Sequence, residues 1–203
     1  MTLRIDPGLI LDHGLSSFGR WLDLHGHLIS NMEIIFTEFE KVEALAAVLG
    51  ALISRPVCLC AAEGGPILSL TIDAKLDGGL ARTLTAFAAS PWGKHLQRVC
   101  IHPGHVSRDG ADGFGEFLAK VGGSLQDLDI SIPATSESPG QLAPVLQTHL
   151  SSLSSLTSLT ISVIDVGVDA GILGLGALAS LQRLDIENNN WLPEWDMSTV
   201  GVC

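Results

Sequence analysis

The feature that most constrains this chain is a short apolar phrase that returns along almost its whole length. The phrase reads apolar-x-x-apolar-x-Ile, and its best copies are SLQDLDI, SLTSLTI and SLQRLDI. The copies end at Ile5, Ile34, Ile72, Ile101, Ile130, Ile161 and Ile186. The spacing from Ile5 to Ile34 is repeated from Ile72 to Ile101 and again from Ile101 to Ile130, which chance would not produce. A recurring period of this length is typical of proteins in which one structural unit stacks on the next.

Each copy of the phrase predicts one short strand, because alternate side chains of a strand point to opposite faces. The apolar positions then enter the core, and the x positions face solvent. Between the copies, apolar residues recur at helical spacing, as at Leu80, Leu84 and Phe87. Strand, turn and helix therefore alternate. Because one such unit cannot bury its apolar face alone, neighbouring units are expected to share a continuous core.

The phrase and its period resemble those of the leucine-rich-repeat family, and the resemblance covers nearly the whole chain. The usual period together with a helix in each repeat is similar to the ribonuclease-inhibitor type, whereas the final copy, with Asn189 behind it, is closer to the plant type. The resemblance implies an α/β solenoid shaped as a horseshoe segment. About seven parallel strands would line its concave face, and helices would form its convex face. We expect residues 1–203 to form one such domain.

The repeat departs from regularity in the middle and at both ends. The interval from Ile34 to Ile72 is the longest, and its surplus falls near residues 55–66, where Pro at both ends and a Gly-Gly pair predict an inserted loop. Neither end shows the polar cap that a stacked core needs. Uncapped ends predict self-association, and the tail that would fold back as a C-terminal lid contains Trp195, Met197 and Val200.

Composition narrows the classes of partner. The chain has 22 Asp and Glu against 11 Lys and Arg, which gives a net charge of -11. Such a charge repels phosphate backbones and anionic lipids, so we expect neither nucleic acid nor a membrane surface as partner. The N-terminus does not read as a secretory signal, and four cysteines are too few and too scattered for a disulfide framework. We therefore expect a cytoplasmic protein with reduced thiols.

The sequence contains no motif that predicts an active site. P-loop, HExxH and GxSxG sequences are absent, and the glycines of residues 174–179 do not follow a strand as a dinucleotide-binding turn must. Three pairs of potential metal ligands each lack the second half of a zinc site, and these pairs are Cys58 with Cys60, His25 with His27 and His102 with His105. We expect no enzyme activity, no cofactor and no metal site.

The x positions of the phrase are the candidate binding residues, because they line the concave sheet that solenoids offer to partners. Seven of them are acidic and three are arginine, which predicts a partner with a basic segment. Trp92 and Trp191 fall where burial is expected, so the surface lacks aromatic anchors. The predicted partner-binding residues are Arg4, Glu33, Asp73, Arg98, His102, Asp127, Asp129, Arg183, Asp185 and Glu187. A merely soluble face with the same residues is the alternative interpretation.

Several functions fit a protein-protein interaction module of this kind. The chain resembles the repeat portion of F-box leucine-rich-repeat proteins, which implies a substrate-recognition arm of a ubiquitin ligase. A stoichiometric enzyme inhibitor, as among the ribonuclease inhibitors, fits the acidic face. A structural scaffold in a cytoskeletal complex is a third version. An enzyme class is the rival hypothesis, and its least implausible form is a regulator that acts on a GTPase.

Overall fold

The computed structural model describes residues 2–7, 14–25, 29–36, 42–54, 67–132, 138–163 and 178–188. Within them, seven strands form one sheet in which all neighbours are parallel, and their order across the sheet is their order along the chain. The strands are β1 (Thr2–Ile5), β2 (Asn31–Phe36), β3 (Ile67–Ile72), β4 (Leu96–Ile101), β5 (Asp127–Ile132), β6 (Ser158–Val163) and β7 (Arg183–Asn188). Each contains the final isoleucine of one copy of the phrase, so the seven predicted strands are confirmed.

Helices alternate with the strands, as their apolar spacing predicts. The helices are α1 (Leu15–His25), α2 (Val42–Ile53), α3 (Gly78–Ala89), α4 (Arg108–Val121) and α5 (Ser138–His149). Short 3-10 helices at Gly93–His95 and Leu150–Ser152 lead into β4 and towards β6. This alternation of helices with an all-parallel sheet confirms the predicted α/β class, and the sequential strand order is compatible with a solenoid.

The core lies between one face of the sheet and the helices. In β2, Met32, Ile34 and Phe36 are buried, while the residues between them are half-buried. Leu84 and Phe87 of α3 belong to the same buried cluster. The strand-to-strand register places equivalent apolar residues side by side, and in this way one continuous core runs from repeat to repeat.

Side chains in two of the turns that lead from strand to helix cap the helices that follow. The Asp77 carboxylate accepts hydrogen bonds from the N–H groups of Gly79 and Leu80, both at 2.9 Å, and so caps α3. Ser107 caps α4 by accepting from the N–H of Gly110 at 3.0 Å. These caps satisfy N–H groups that have no partner inside the helix, so each helix begins at a defined residue.

Trp92 confirms its predicted burial, since only 3% of its surface is exposed. Its indole Nε1 donates a hydrogen bond of 2.8 Å to the carbonyl oxygen of Leu52, near the end of α2. Trp92 therefore fills the core, and its hydrogen bond also joins the turn after α3 to α2.

Two isoleucines of the repeated phrase do not enter the core as predicted. Ile67 is 47% exposed and its neighbour Leu68 is fully buried. Ile67 lies inside β3 next to Leu68, which is the register partner of the buried Leu96, so Leu68 takes the inward position that the phrase assigns to Ile67. Ile186, in the strand at one edge of the described sheet, is 37% exposed, whereas Ile5 in the strand at the other edge is 2% exposed.

Several predicted features lie outside the described residues. They are the insertion near residues 55–66, the glycines of residues 174–177, Asn189, Trp191, and the C-terminal residues Trp195, Met197 and Val200. The predicted lid and insertion therefore stay predictions.

Shortening Leu159 should destabilise the fold strongly. Leu159 is fully buried and is the register partner of both Leu128 and Leu184. Leu159→Ala removes contacts on both sides and should lower the free energy of unfolding by about 2 to 5 kcal/mol in urea titrations. Leu184→Ala, at a half-buried position of β7, should cost less. Equal losses from the two substitutions would contradict this packing.

Two glycine substitutions should change stability in opposite directions. A Cβ on Gly110 would collide with the backbone carbonyl of Leu76, whereas a Cβ on Gly50, within α2, would meet nothing within 4 Å. Gly110→Ala should destabilise by about 1 to 3 kcal/mol through overpacking. Gly50→Ala should stabilise by up to about 1 kcal/mol through helix propensity. Thermal unfolding of both variants measures the pair, and a stabilising Gly110→Ala would disprove the close contact.

Candidate functional site

The sheet face opposite the core is the candidate functional surface, and we call it the open face. It consists of the side chains that alternate with the buried ones along β1 to β7, together with the residues that directly follow the strands. Nine of the ten predicted partner-binding residues lie on it, exposed or half-buried: Arg4, Glu33, Asp73, Arg98, His102, Asp127, Asp129, Arg183 and Asp185. The backbone of Glu187 pairs with Ser162 in β6, but its side chain is outside the described part of the chain.

Two acidic residues of the open face are paired with arginines. Arg98 Nε donates to Asp127 Oδ2 at 2.9 Å, across neighbouring strands. Arg183 Nη2 lies 3.5 Å from Asp185 Oδ2 within β7. Two carboxylates of the open face are therefore already paired with neighbouring arginines. Exposed pairs of this kind contribute only about 0 to 1 kcal/mol, so an incoming charged group can replace either member.

At the centre of the open face, Cys100, His102 and Asp129 come together. Cys100 lies in β4 and His102 directly follows that strand, and Asp129 is the register partner of Cys100 in β5. The Cys100 thiol donates to Asp129 Oδ2 at 3.7 Å, and its Sγ lies 3.3 Å from Nε2 of His102. One ligand atom from each of the three residues lies within 4.8 Å of the other two. This cluster is the densest group of reactive side chains on the open face.

The surroundings of Cys100 keep its thiol protonated at neutral pH. Burial raises the pKa of Cys100 to about 12, and the negative charge of Asp129, its hydrogen bond with the thiol, and the charge of Asp127 act in the same direction. Arg98 opposes them and does not outweigh them. Nucleophilic catalysis by cysteine needs a thiolate stabilised by nearby positive charge. The cluster is therefore poorly suited to a Cys-His hydrolase mechanism.

The sequence analysis missed this cluster, although a signal for it was present. Cys100 and Asp129 are one repeat apart along the chain, and both occupy an x position of the phrase. In a parallel sheet of stacked repeats, such residues become neighbours. The analysis instead paired His102 with His105 by their closeness in sequence, whereas the structure gives His102 the neighbours Cys100 and Asp129.

The other predicted ligand pairs do not form a comparable group in the described part of the chain. His25 stacks on Trp21 at the end of α1, with a distance of 5.3 Å between ring centroids. Its predicted companion His27 is not among the described residues, and neither are Cys58 and Cys60. The structure therefore adds no support for the view that these two pairs are metal ligands.

A shallow groove lies between α3 and α4 on the helical surface. Its lining residues are Gly78, Ala81, Arg82, Thr85, Ala86, Ala89, Asp109, Asp112, Gly113, Glu116 and Lys120. Small residues allow the two helices to pack closely, since a Cβ on Gly113 would lie 2.7 Å from that of Ala81. The groove carries charges of both signs and no convergent polar group, so it does not specify a ligand as the open face does.

Comparisons with known proteins gave no match to a protein-family model, a curated protein or a solved structure. Among the described residues, every helix is too short or too polar to cross a membrane. Any functional assignment therefore depends on the open face and its residues.

The thiol of Cys100 should react slowly with iodoacetamide. Because its pKa is raised to about 12, little thiolate exists near neutral pH, and the alkylation rate should increase with pH through the alkaline range. Asp129→Asn removes a negative charge beside the sulfur, lowers the pKa and should speed the reaction at a given pH. Peptide mass spectrometry after timed alkylation, in buffer with a chelator, measures this one cysteine.

Burial is the largest cause of the raised pKa, so the Asp129→Asn variant should still react more slowly than a thiol in an unfolded peptide. The natural control is Asp112→Asn, which removes the same charge from the exposed surface of α4 and should leave the rate unchanged. Rapid alkylation of Cys100 in the unmodified protein at neutral pH would contradict the environment described above.

Proposed function

We propose that this chain is a leucine-rich-repeat protein whose open face binds a segment of another protein that carries Lys or Arg. The seven copies of the repeated phrase, one for each of seven parallel strands in sequential order, support membership of that family. In such a horseshoe the open face is the concave surface and α1 to α5 lie on the convex side. Solenoids of this type present the concave surface to their partners.

The observation that carries the proposal is the polarity of the open face. All-parallel sheets are normally covered by helices on both faces, and their strands are then apolar throughout. Here β5 and β6 are apolar on one face only, and the other face presents hydroxyl and charged side chains at every second position, such as Asp129 and Thr160. In β3 and β4 the same face is also mainly polar, with Ile67 and Cys100 as exceptions. A sheet of this kind is built to remain in contact with water or with a polar partner.

Charge determines which partner fits this surface best. Glu33, Asp73 and Asp129 form no ion pair with another described residue, and Asp127 is held only by the exposed Arg98. A basic segment can pair with the first three and compete with Arg98 for the fourth. The net charge of -11 would also attract such a segment from a distance and raise its rate of association.

The affinity expected of the open face favours two versions of this function over the others. The described strands place no aromatic side chain on this face, and tryptophan and tyrosine usually carry tight binding. Modest affinity suits a substrate-recognition arm of a larger assembly, such as an F-box-like ubiquitin ligase, or a cytoskeletal scaffold. A stoichiometric inhibitor needs tighter binding, so it is the weaker alternative, as is a regulator of a GTPase.

Reversing the acidic residues of the open face should abolish recognition of basic segments. Probes are fluorescent Lys- and Arg-containing peptides, each with a matched peptide in which Glu replaces the basic residues. The unmodified chain should bind the basic set with an affinity that falls as salt rises. A variant with Asp127, Asp129, Asp185 and Glu187 changed to Lys should bind about tenfold more weakly or worse, measured by fluorescence anisotropy.

The control variant reverses four exposed acids on the helical side, Glu43, Asp109, Asp112 and Glu116, and so changes the net charge by the same amount. It should keep most of the affinity if the open face is the binding surface. An equal loss of affinity in both variants would show that only the net charge of the chain, and not the open face, determines peptide binding. Retained binding in the open-face variant would move the site elsewhere.

A further inference from the structure

The cluster at the centre of the open face unites three kinds of metal ligand on two adjacent strands. Cys100 offers a sulfur, His102 an imidazole nitrogen and Asp129 a carboxylate oxygen. We propose that these three residues bind one Zn²⁺ ion, with the fourth coordination position turned towards solvent. The proposal goes beyond protein binding and does not depend on it, since the chain alone supplies the ligands.

The spacing of the three residues fits a tetrahedral ion. Zinc binds sulfur at about 2.3 Å and nitrogen or oxygen at about 2.0 to 2.2 Å, so in a tetrahedron the ligand atoms lie about 3.6 Å apart. The sulfur of Cys100 lies 3.3 Å from Nε2 of His102 and 3.7 Å from Oδ2 of Asp129. The two separations that involve the sulfur are therefore already close to those that a bound ion requires. The ligand atoms of His102 and Asp129 lie within 4.8 Å of each other, and side-chain rotations would complete the site.

The chemistry of the three donors selects the kind of ion. Thiolate and imidazole ligands favour zinc and similar transition metals, whereas magnesium and calcium prefer oxygen ligands alone. Binding of Zn²⁺ displaces the proton of the Cys100 thiol into solvent, and the resulting thiolate and the Asp129 carboxylate together carry two negative charges, which the divalent ion neutralises. Three protein ligands with one open position are typical of zinc sites that contact water or a further molecule, whereas purely structural sites have four protein ligands.

The strands hold the ligands in place from behind. Val99 and Ile101 alternate with Cys100 and His102 and are buried, and their register partners Leu128 and Ile130 fix β5 in the same way. The ligand backbones therefore cannot slide relative to one another without exposing core residues. A site on such rigid elements loses little entropy when the ion binds.

The test uses the untagged full chain, stripped of metal with a chelator and then titrated with Zn²⁺ or Co²⁺. Isothermal titration calorimetry should give one Zn²⁺ per chain. Co²⁺ should produce a sulfur-to-metal charge-transfer band in the near ultraviolet, which reports a thiolate ligand. Cys100→Ser should remove that band, and Cys100→Ser, His102→Ala and Asp129→Asn should each weaken Zn²⁺ binding by about tenfold or more.

Controls separate this site from the other thiols and histidines. His105→Ala changes an exposed histidine close to His102 in the chain, and Asp112→Asn changes an exposed carboxylate on α4, so both should bind Zn²⁺ as the unmodified chain does. A variant with Cys58 and Cys60 changed to Ser should keep the Co²⁺ band. Circular dichroism checks that each variant folds.

Loss of the band in the Cys58 and Cys60 variant, with retention in Cys100→Ser, would overturn the proposal. So would the absence of any Zn²⁺ binding by the unmodified chain, or affinities in all three ligand variants equal to its own. None of these outcomes bears on peptide binding by the open face, because that test measures a different ligand and can be run in chelator.

Discussion

The whole architecture depends on the side-by-side packing of equivalent apolar residues in neighbouring strands. Leu128 lies beside Leu159 and Leu159 beside Leu184, and a parallel set runs through Ile130, Ile161 and Ile186. Because side chains of a strand alternate with a period of two, fixing these inward residues also fixes every outward one. The polar residues of the open face are therefore held in rows by the hydrophobic effect acting on the opposite side of the same strands.

Much of this fold could be predicted from the sequence, because each repeat carries its own signals. In the part of the chain that the structure describes, the phrase located the seven strands, and helical spacing located the five α-helices. The prediction was wrong at Ile67 and Ile186 for different physical reasons. At Ile67 the inward position is taken by its neighbour Leu68, which pairs with Leu96 beside a register shift that the phrase does not indicate. At Ile186 burial depends on what lies beyond β7, and a local phrase carries no information about that.

The composition of the candidate site was predictable, but its internal partners were not. Alternation alone placed Arg98, Asp127 and Asp129 on one surface, and the structure has them there. Which arginine pairs with which aspartate depends on the strand register and on side-chain conformation. A repeat pattern predicts the register only approximately and does not predict the conformation. The register between β3 and β4 shifts between Leu68 and Ser69, so an alignment of phrases is not exact even where the fold is regular. The sequence alone does not bring Cys100 together with Asp129, because the two residues lie one repeat apart.

The distance between Cys100 and Asp129 along the chain also bears on how such a surface can change over time. Duplication or loss of one complete repeat preserves the core, because each new neighbour presents the same apolar ladder. The outward rows would nevertheless be recombined, and a repeat inserted between β4 and β5 would separate the two residues by a full strand. In this architecture the chemistry of the surface is a property of adjacency between repeats, so it can be gained or lost by rearranging intact units without a single substitution.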